Sequence, residues 1–180
     1  MATYYSAEVA QEQLEQSKEG DEEKERNQAA RVTYWEEGSW LWGGKALHLL
    51  NRSSDPVSAV AVLIRIRFKD QVDQRYHLVK LDEHVLPPCS EVVHRTGELS
   101  VSIPDASGSK MAQVSETRWR VDNVEFTDRA GKRWSRTSTH LKLTSDVGSR
   151  VPIVTGVTIP MSPGAVKALD DCGAEASGSG

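Results

Sequence analysis

Five histidines, His48, His77, His84, His94 and His140, are the first place to look for chemistry. None is spaced i,i+2 or i,i+4 from another histidine or from a cysteine, so local spacing yields no metal motif. The chain has no Gly-x-Ser-x-Gly elbow, and Gly43-Gly44 lacks the Lys-Ser/Thr context of a phosphate loop. Asp122, Glu125 and Asp128 cluster in sequence. On a strand, however, Asp122 and Glu125 point to different faces unless a bulge realigns them. Calcium would need more oxygen ligands in a loop. These residues therefore imply no enzyme, no cofactor and no metal. A site assembled over long range from His48, His84, Asp122 or Glu125 ranks last among the functional readings.

The aromatic residues offer more. Trp35, Trp119 and Trp134 fall in strand-like segments and read most simply as core. Trp40 and Trp42 belong to the glycine-bounded stretch Ser39-Trp40-Leu41-Trp42-Gly43-Gly44 and share a face if it is extended. The favoured reading has them closing one end of the fold. The functional alternative makes Trp40 and Trp42 an exposed binding patch, since Trp is a frequent interface anchor.

Elements must position these residues, and 180 residues suit one ordinary domain with tails. Residues 6–31 are rich in Glu, Gln, Lys, Arg and Ala, good helix formers. Ser6 is the expected cap, and Gly20-Asp21 is a point where the helix would divide. Eight acids and four bases lie in residues 1–31, while the remaining 18 acids and 18 bases cancel. The net charge of −4 thus belongs to this segment. No basic stripe stands out in the body, which argues against nucleic acid.

From Val32 the pattern changes to a period of two. In residues 57–68, Val60, Val62, Ile64, Ile66 and Phe68 share one face, and Ala61, Leu63, Arg65 and Arg67 share the other. Further strands are expected at 32–36, 45–51, 76–82, 91–95, 98–103, 119–127, 132–136 and 140–144, with an edge strand within 152–160. A phase shift at Asp122-Asn123 predicts a bulge, and Asp128 to Gly131 predicts a hairpin turn with Gly131 left-handed. Short strands at this spacing predict a mainly β protein, an antiparallel immunoglobulin-like β-sandwich behind a charged N-terminal α-helix. The expected organisation is a helix over 1–31, a sandwich over 32–160, and a short helix with a flexible tail over 161–180.

Cys89 and Cys172 stand in no C-x-x-C context and are expected as free thiols. Asn51-Arg52-Ser53 fits a glycosylation sequon without a secretory context to give it meaning. No apolar run is long enough to span a membrane, and Met1 to Tyr5 lacks signal-peptide character. A cytoplasmic location follows as the expectation.

Several segments are familiar in combination: 27–35, then Asn51 to Val57, then Leu86-Pro87-Pro88, then Val124 to Trp134. The most specific piece is Phe-Thr-Asp-x-x-Gly-x-x-Trp, Phe126 to Trp134. Over roughly residues 25–145 the chain resembles uncharacterised actinobacterial proteins in which a charged juxtamembrane helix precedes a β domain. The resemblance implies membrane association in a longer form carrying an upstream tether, and assigns no catalytic residue.

The function expected is a non-catalytic interaction domain with a protein partner. A small-ligand or carbohydrate sensor using tryptophan stacking is the alternative.

Overall fold

The computed structural model describes residues 2–38, 45–68, 76–105, 108–144, 156–160, 164–170 and 172. Trp40 and Trp42 lie outside them, as does the expected tail beyond Cys172.

Helix α1 runs unbroken from Ala2 to Ala30, passing through Gly20-Asp21 and starting a turn before Ser6, the expected cap. Its composition supports a helix, but its described side chains are largely exposed; Ala29 alone among them is buried. Polar all round, such a helix needs an anchor. Ala29 joins the hydrophobic core, and Glu25 forms an ion pair with Lys132.

The strands are β1 (Val32–Glu37), β2 (Ala46–Asn51), β3 (Val57–Phe68), β4 (His77–Leu86), β5 (Ser90–Arg95), β6 (Leu99–Asp105), β7 (Gly108–Gln113), β8 (Thr117–Thr127), β9 (Arg133–Arg136), β10 (Leu141–Leu143), β11 (Gly156–Pro160) and β12 (Ala165–Ala168). They form a four-stranded sheet, β1-β2-β5-β12, and an eight-stranded sheet, β10-β9-β8-β3-β4-β11-β6-β7. Every pair is antiparallel except β11 with β4. The protein is thus mainly β, with one N-terminal helix.

One core joins the sheets. Leu47, Leu49 and Val92 of the smaller sheet share a cluster with Val60, Val62, Ile64, Ile66 and Phe68 of β3. Burying each of these β3 side chains stabilises the fold by about 2 kcal/mol relative to leaving it in water. The opposite face of β3 holds Ala61 and Leu63, buried outside that cluster, and then half-buried Arg65 and Arg67.

Three expectations require correction. The segment within 152–160 is no edge strand: β11 lies between β4 and β6, so tightly that a Cβ on Gly156 would stand 2.5 Å from the Ser102 carbonyl oxygen. Residues 165–168 form a strand on β5 rather than a short helix. Finally, Cys89 and Cys172 are not free thiols but a disulfide, closing 83 residues of chain just beyond β12. Pairing of β12 with β5 brings the C-terminal segment to the start of β5, where Cys89 sits; Leu169 N–H donates to the Cys89 carbonyl at 2.9 Å.

Candidate functional site

The hairpin of β8 and β9 is the firmest local structure. Phe126 pairs with Trp134, and Gly131 takes φ +81°, the left-handed value the turn requires. Asp128 is buried and holds the turn: Oδ1 accepts from Lys132 N–H at 2.9 Å, and Oδ2 from the Trp134 indole N–H at 2.7 Å. The Asp, Gly and Trp of the Phe-Thr-Asp-x-x-Gly-x-x-Trp segment thus each have a structural task.

Between this hairpin, β10 and α1 lies a cleft of about 540 Å³. Its helical wall carries Glu19, Glu23 and Arg26, which i,i+3 and i,i+4 spacing puts on one face, with Glu25 alongside. The opposite wall is Lys132, Trp134, Leu141 and Leu143. Leu143 is 54% exposed, and β10 is the outermost strand of its sheet. Among the described residues no strand pairs with its outer edge. A helical wall with Glu19 and Glu23 beside Arg26, an opposite wall of Trp134, Leu141 and Leu143 beside the Lys132–Glu25 ion pair, and an open strand edge therefore meet in one place.

The predicted bulge is present. Leu63 pairs with Asn123 and Ile64 with Val121, leaving Asp122 as the extra residue. Asp122 and Asn123 both fall between buried Val121 and Val124, so the bulge turns Asp122 toward the face of Asn123 and Glu125. Asp122 forms an ion pair with Arg65, Glu125 lies 3.6 Å from Arg133, and Asn123 donates to Ser135 Oγ at 2.9 Å. From the other sheet, Glu36 Oε1 accepts the Val121 backbone N–H at 2.6 Å. β9 ends opposite Val124, so β8 has no β9 partner at Val121. The Glu36 carboxylate supplies an acceptor there. Burial pushes this carboxyl above its usual range, against the lowering effects of the Val121 bond and of Arg120. Tyr34 beside it is also raised, by burial first and then by the Glu36 and Asp122 charges.

Two histidines are buried in ion-pair geometry. His94 faces the core from β5, and its Nε2 lies 2.6 Å from Glu83 Oε2 on the other sheet. His48 faces outward: Nδ1 is 2.7 Å from Glu91 Oε1 and Nε2 is 3.6 Å from Glu37 Oε2. Trp119 and Trp134 are core, as expected, but Trp35 is not; it is 45% exposed and stacks on His48. The residues of the last-ranked reading do not assemble. His48 pairs on the smaller sheet, exposed His84 occupies a bulge of β4, and Asp122 and Glu125 have their own cationic partners. No group of three or more His, Cys, Asp or Glu among the described residues is arranged to hold a metal ion.

Sequence reasoning missed the cleft. Its signals were Leu141 and Leu143 at i,i+2 and the helically spaced Glu19, Glu23 and Arg26, but nothing local says that these segments face each other.

Comparison with family models, curated proteins and solved structures finds no match. The residues themselves must carry the functional argument.

Proposed function

We propose that this chain is a non-catalytic protein-interaction module, an immunoglobulin-like sandwich whose docking surface is the cleft between α1 and β10. The observation that carries this reading is the meeting of Glu19 and Glu23 with Leu141, Leu143 and an outer strand edge. The occupant that fits is an extended segment with alternating basic and apolar side chains. Its backbone would pair with β10, its apolar side chains would cover Leu141 and Leu143, and its basic groups would face the helix. The immunoglobulin likeness rests on two mainly antiparallel layers closing over one core; the order of the larger sheet is its own.

The same proposal takes in the resemblance to actinobacterial β domains, with α1 in the place of the juxtamembrane helix. No helix among the described residues is long and apolar enough to cross a membrane. The Cys89–Cys172 bridge supports an oxidising compartment over the cytoplasm expected from sequence.

Selection from a displayed library of random nine-residue peptides tests the reading. Enriched peptides should alternate basic with apolar residues, and Glu23→Lys or Leu143→Asp should weaken their binding about tenfold or more. Enrichment of acidic peptides, or binding untouched by both substitutions, refutes it.

A further inference from the structure

We propose that the Cys89–Cys172 bridge is a redox clasp: its reduction by a dithiol releases β12 from β5 and bares an edge of the four-stranded sheet while the core stays closed. This device is separate from the cleft. β12 is the outermost strand of its sheet, and all four of its side chains, Ala165 to Ala168, are exposed. None of them belongs to the hydrophobic core, which takes Val32, Leu47, Leu49 and Val92 from this sheet. What holds β12 is therefore its backbone ladder with β5, from Ala165 opposite Val93 to Ala168 opposite Ser90, together with its two ends. A backbone bond contributes no more net free energy than ordering a residue costs, so a four-residue ladder alone holds a strand weakly. At one end Gly164 fits closely against Val92 and His94; a Cβ there would stand 2.5 Å from Val92 Cγ1. At the other, half-buried Leu169 donates its N–H to the Cys89 carbonyl at 2.9 Å, and the disulfide follows at Cys172. The bridge keeps β12 at high local concentration beside β5, and reduction removes that tether.

The step is thiol–disulfide exchange. Cys89 and Cys172 are both half-buried, so neither sulfur is sealed from solvent. A thiolate of the dithiol attacks Cys172 Sγ, the bond to Cys89 breaks, and Cys89 leaves as a thiolate that takes up a proton. The second thiol of the reductant then attacks the mixed disulfide and frees Cys172 as a thiol. The protein gains two electrons and two protons, and the dithiol becomes a disulfide. Alternation along an antiparallel ladder says which backbone groups are bared. Thr96 N–H donates to the Lys45 carbonyl at 3.0 Å, next to Arg95 opposite Ala46. Counting back in twos, His94, Val92 and Ser90 bond to β2, which leaves Val93 and Glu91 to bond to β12. Their groups become an open edge on which another strand can add.

The test compares the full oxidised chain with the same chain in dithiothreitol, well below its melting temperature. The Hα atoms of Val166 and Val92, and of Ala168 and Ser90, face each other in this register, and nuclear Overhauser contacts read them directly. We expect both contacts to vanish on reduction and return on reoxidation. Those of Leu50 with Glu91 and of His48 with Val93, between β2 and β5, should persist. The Glu91 and Val93 amides should lose protection from hydrogen exchange by about tenfold or more relative to Val92 and His94. Cys89→Ser with Cys172→Ser should match the reduced chain. Survival of the Val166–Val92 and Ala168–Ser90 contacts after reduction overturns the proposal. Loss of the β2–β5 contacts along with them also overturns it, since the bridge would then support the whole sheet.

Discussion

Asp128 and Trp134 meet inside the β8–β9 hairpin, where the indole N–H donates to Asp128 Oδ2 at 2.7 Å and both residues are buried. The aspartate also accepts from Lys132 N–H at 2.9 Å, so one carboxylate satisfies a turn amide and a buried indole. Removing it orphans the indole donor. Asp128→Ala should cost about 2–4 kcal/mol, and Trp134→Phe somewhat less because the ring is kept. Urea unfolding checks this: the midpoint should fall at unchanged m-value.

The Cys89–Cys172 bridge closes 83 residues of chain. Constraining a loop of that length stabilises a fold by about 3–5 kcal/mol in the chain-entropy account. The oxidised chain should show no titratable thiol under denaturing conditions. Cys89→Ser with Cys172→Ser, or reduction, should lower the melting temperature by about 10 °C or more, scaling from the usual shift per kcal/mol. Two free thiols in protein purified under oxidising conditions would contradict the bridge.

Glu36 gives a pH dependence whose sign is set by its raised carboxyl. Over the interval between the ordinary carboxylate range and its own higher value, the unfolded chain has lost this proton and the folded chain has kept it. The folded state therefore binds more protons, and this group's contribution to stability falls as pH rises through that interval. Glu36→Gln keeps an acceptor for Val121 N–H and cannot ionise. Its stability relative to the parent should therefore improve as pH rises through and above the ordinary carboxylate range. A difference that is flat, or that runs the other way, would show that burial does not dominate at Glu36.

Asn51 is fully buried, with Nδ2 donating to the carbonyls of Asp55 at 2.8 Å, Leu86 at 3.2 Å and Pro87 at 3.0 Å. Its Oδ1 accepts from Ser53 N–H at 3.0 Å and Ser53 Oγ at 2.6 Å. The sequon at Asn51 is thus a structural knot. Secreted from a eukaryotic host, the folded chain should carry no glycan there, which intact-mass measurement reads directly. Asn51→Asp, which removes the amide donors, should cost about 3 kcal/mol.

Much of this was legible in the sequence where side chains alternate against a single core. The five apolar residues from Val60 to Phe68 could satisfy one buried face only as a strand, and all five are buried. The phase shift at Asp122-Asn123 and the turn at Gly131 are likewise local facts with local consequences. What escaped depends on long-range pairing. Ala165–Ala168 holds good helix formers after a Ser-Pro pair, and only β5 makes it a strand. Gly108–Gln113 is a largely exposed edge strand with no apolar face to announce it. The 83-residue gap between the cysteines gave no hint of contact. Trp35 sits in a strand, as read, but its face depends on which neighbours reach the core, and those are Val32 and Tyr34.

The central claim is that the cleft between α1 and β10 receives an extended basic and apolar segment. Backbone amide shift mapping with the most enriched displayed peptide tests it most directly. Saturable changes should map to Glu19 through Arg26 and to Lys132, Trp134, Leu141 and Leu143, and should weaken with added salt. Changes confined to the four-stranded sheet, or a helix wall that does not respond, would contradict it.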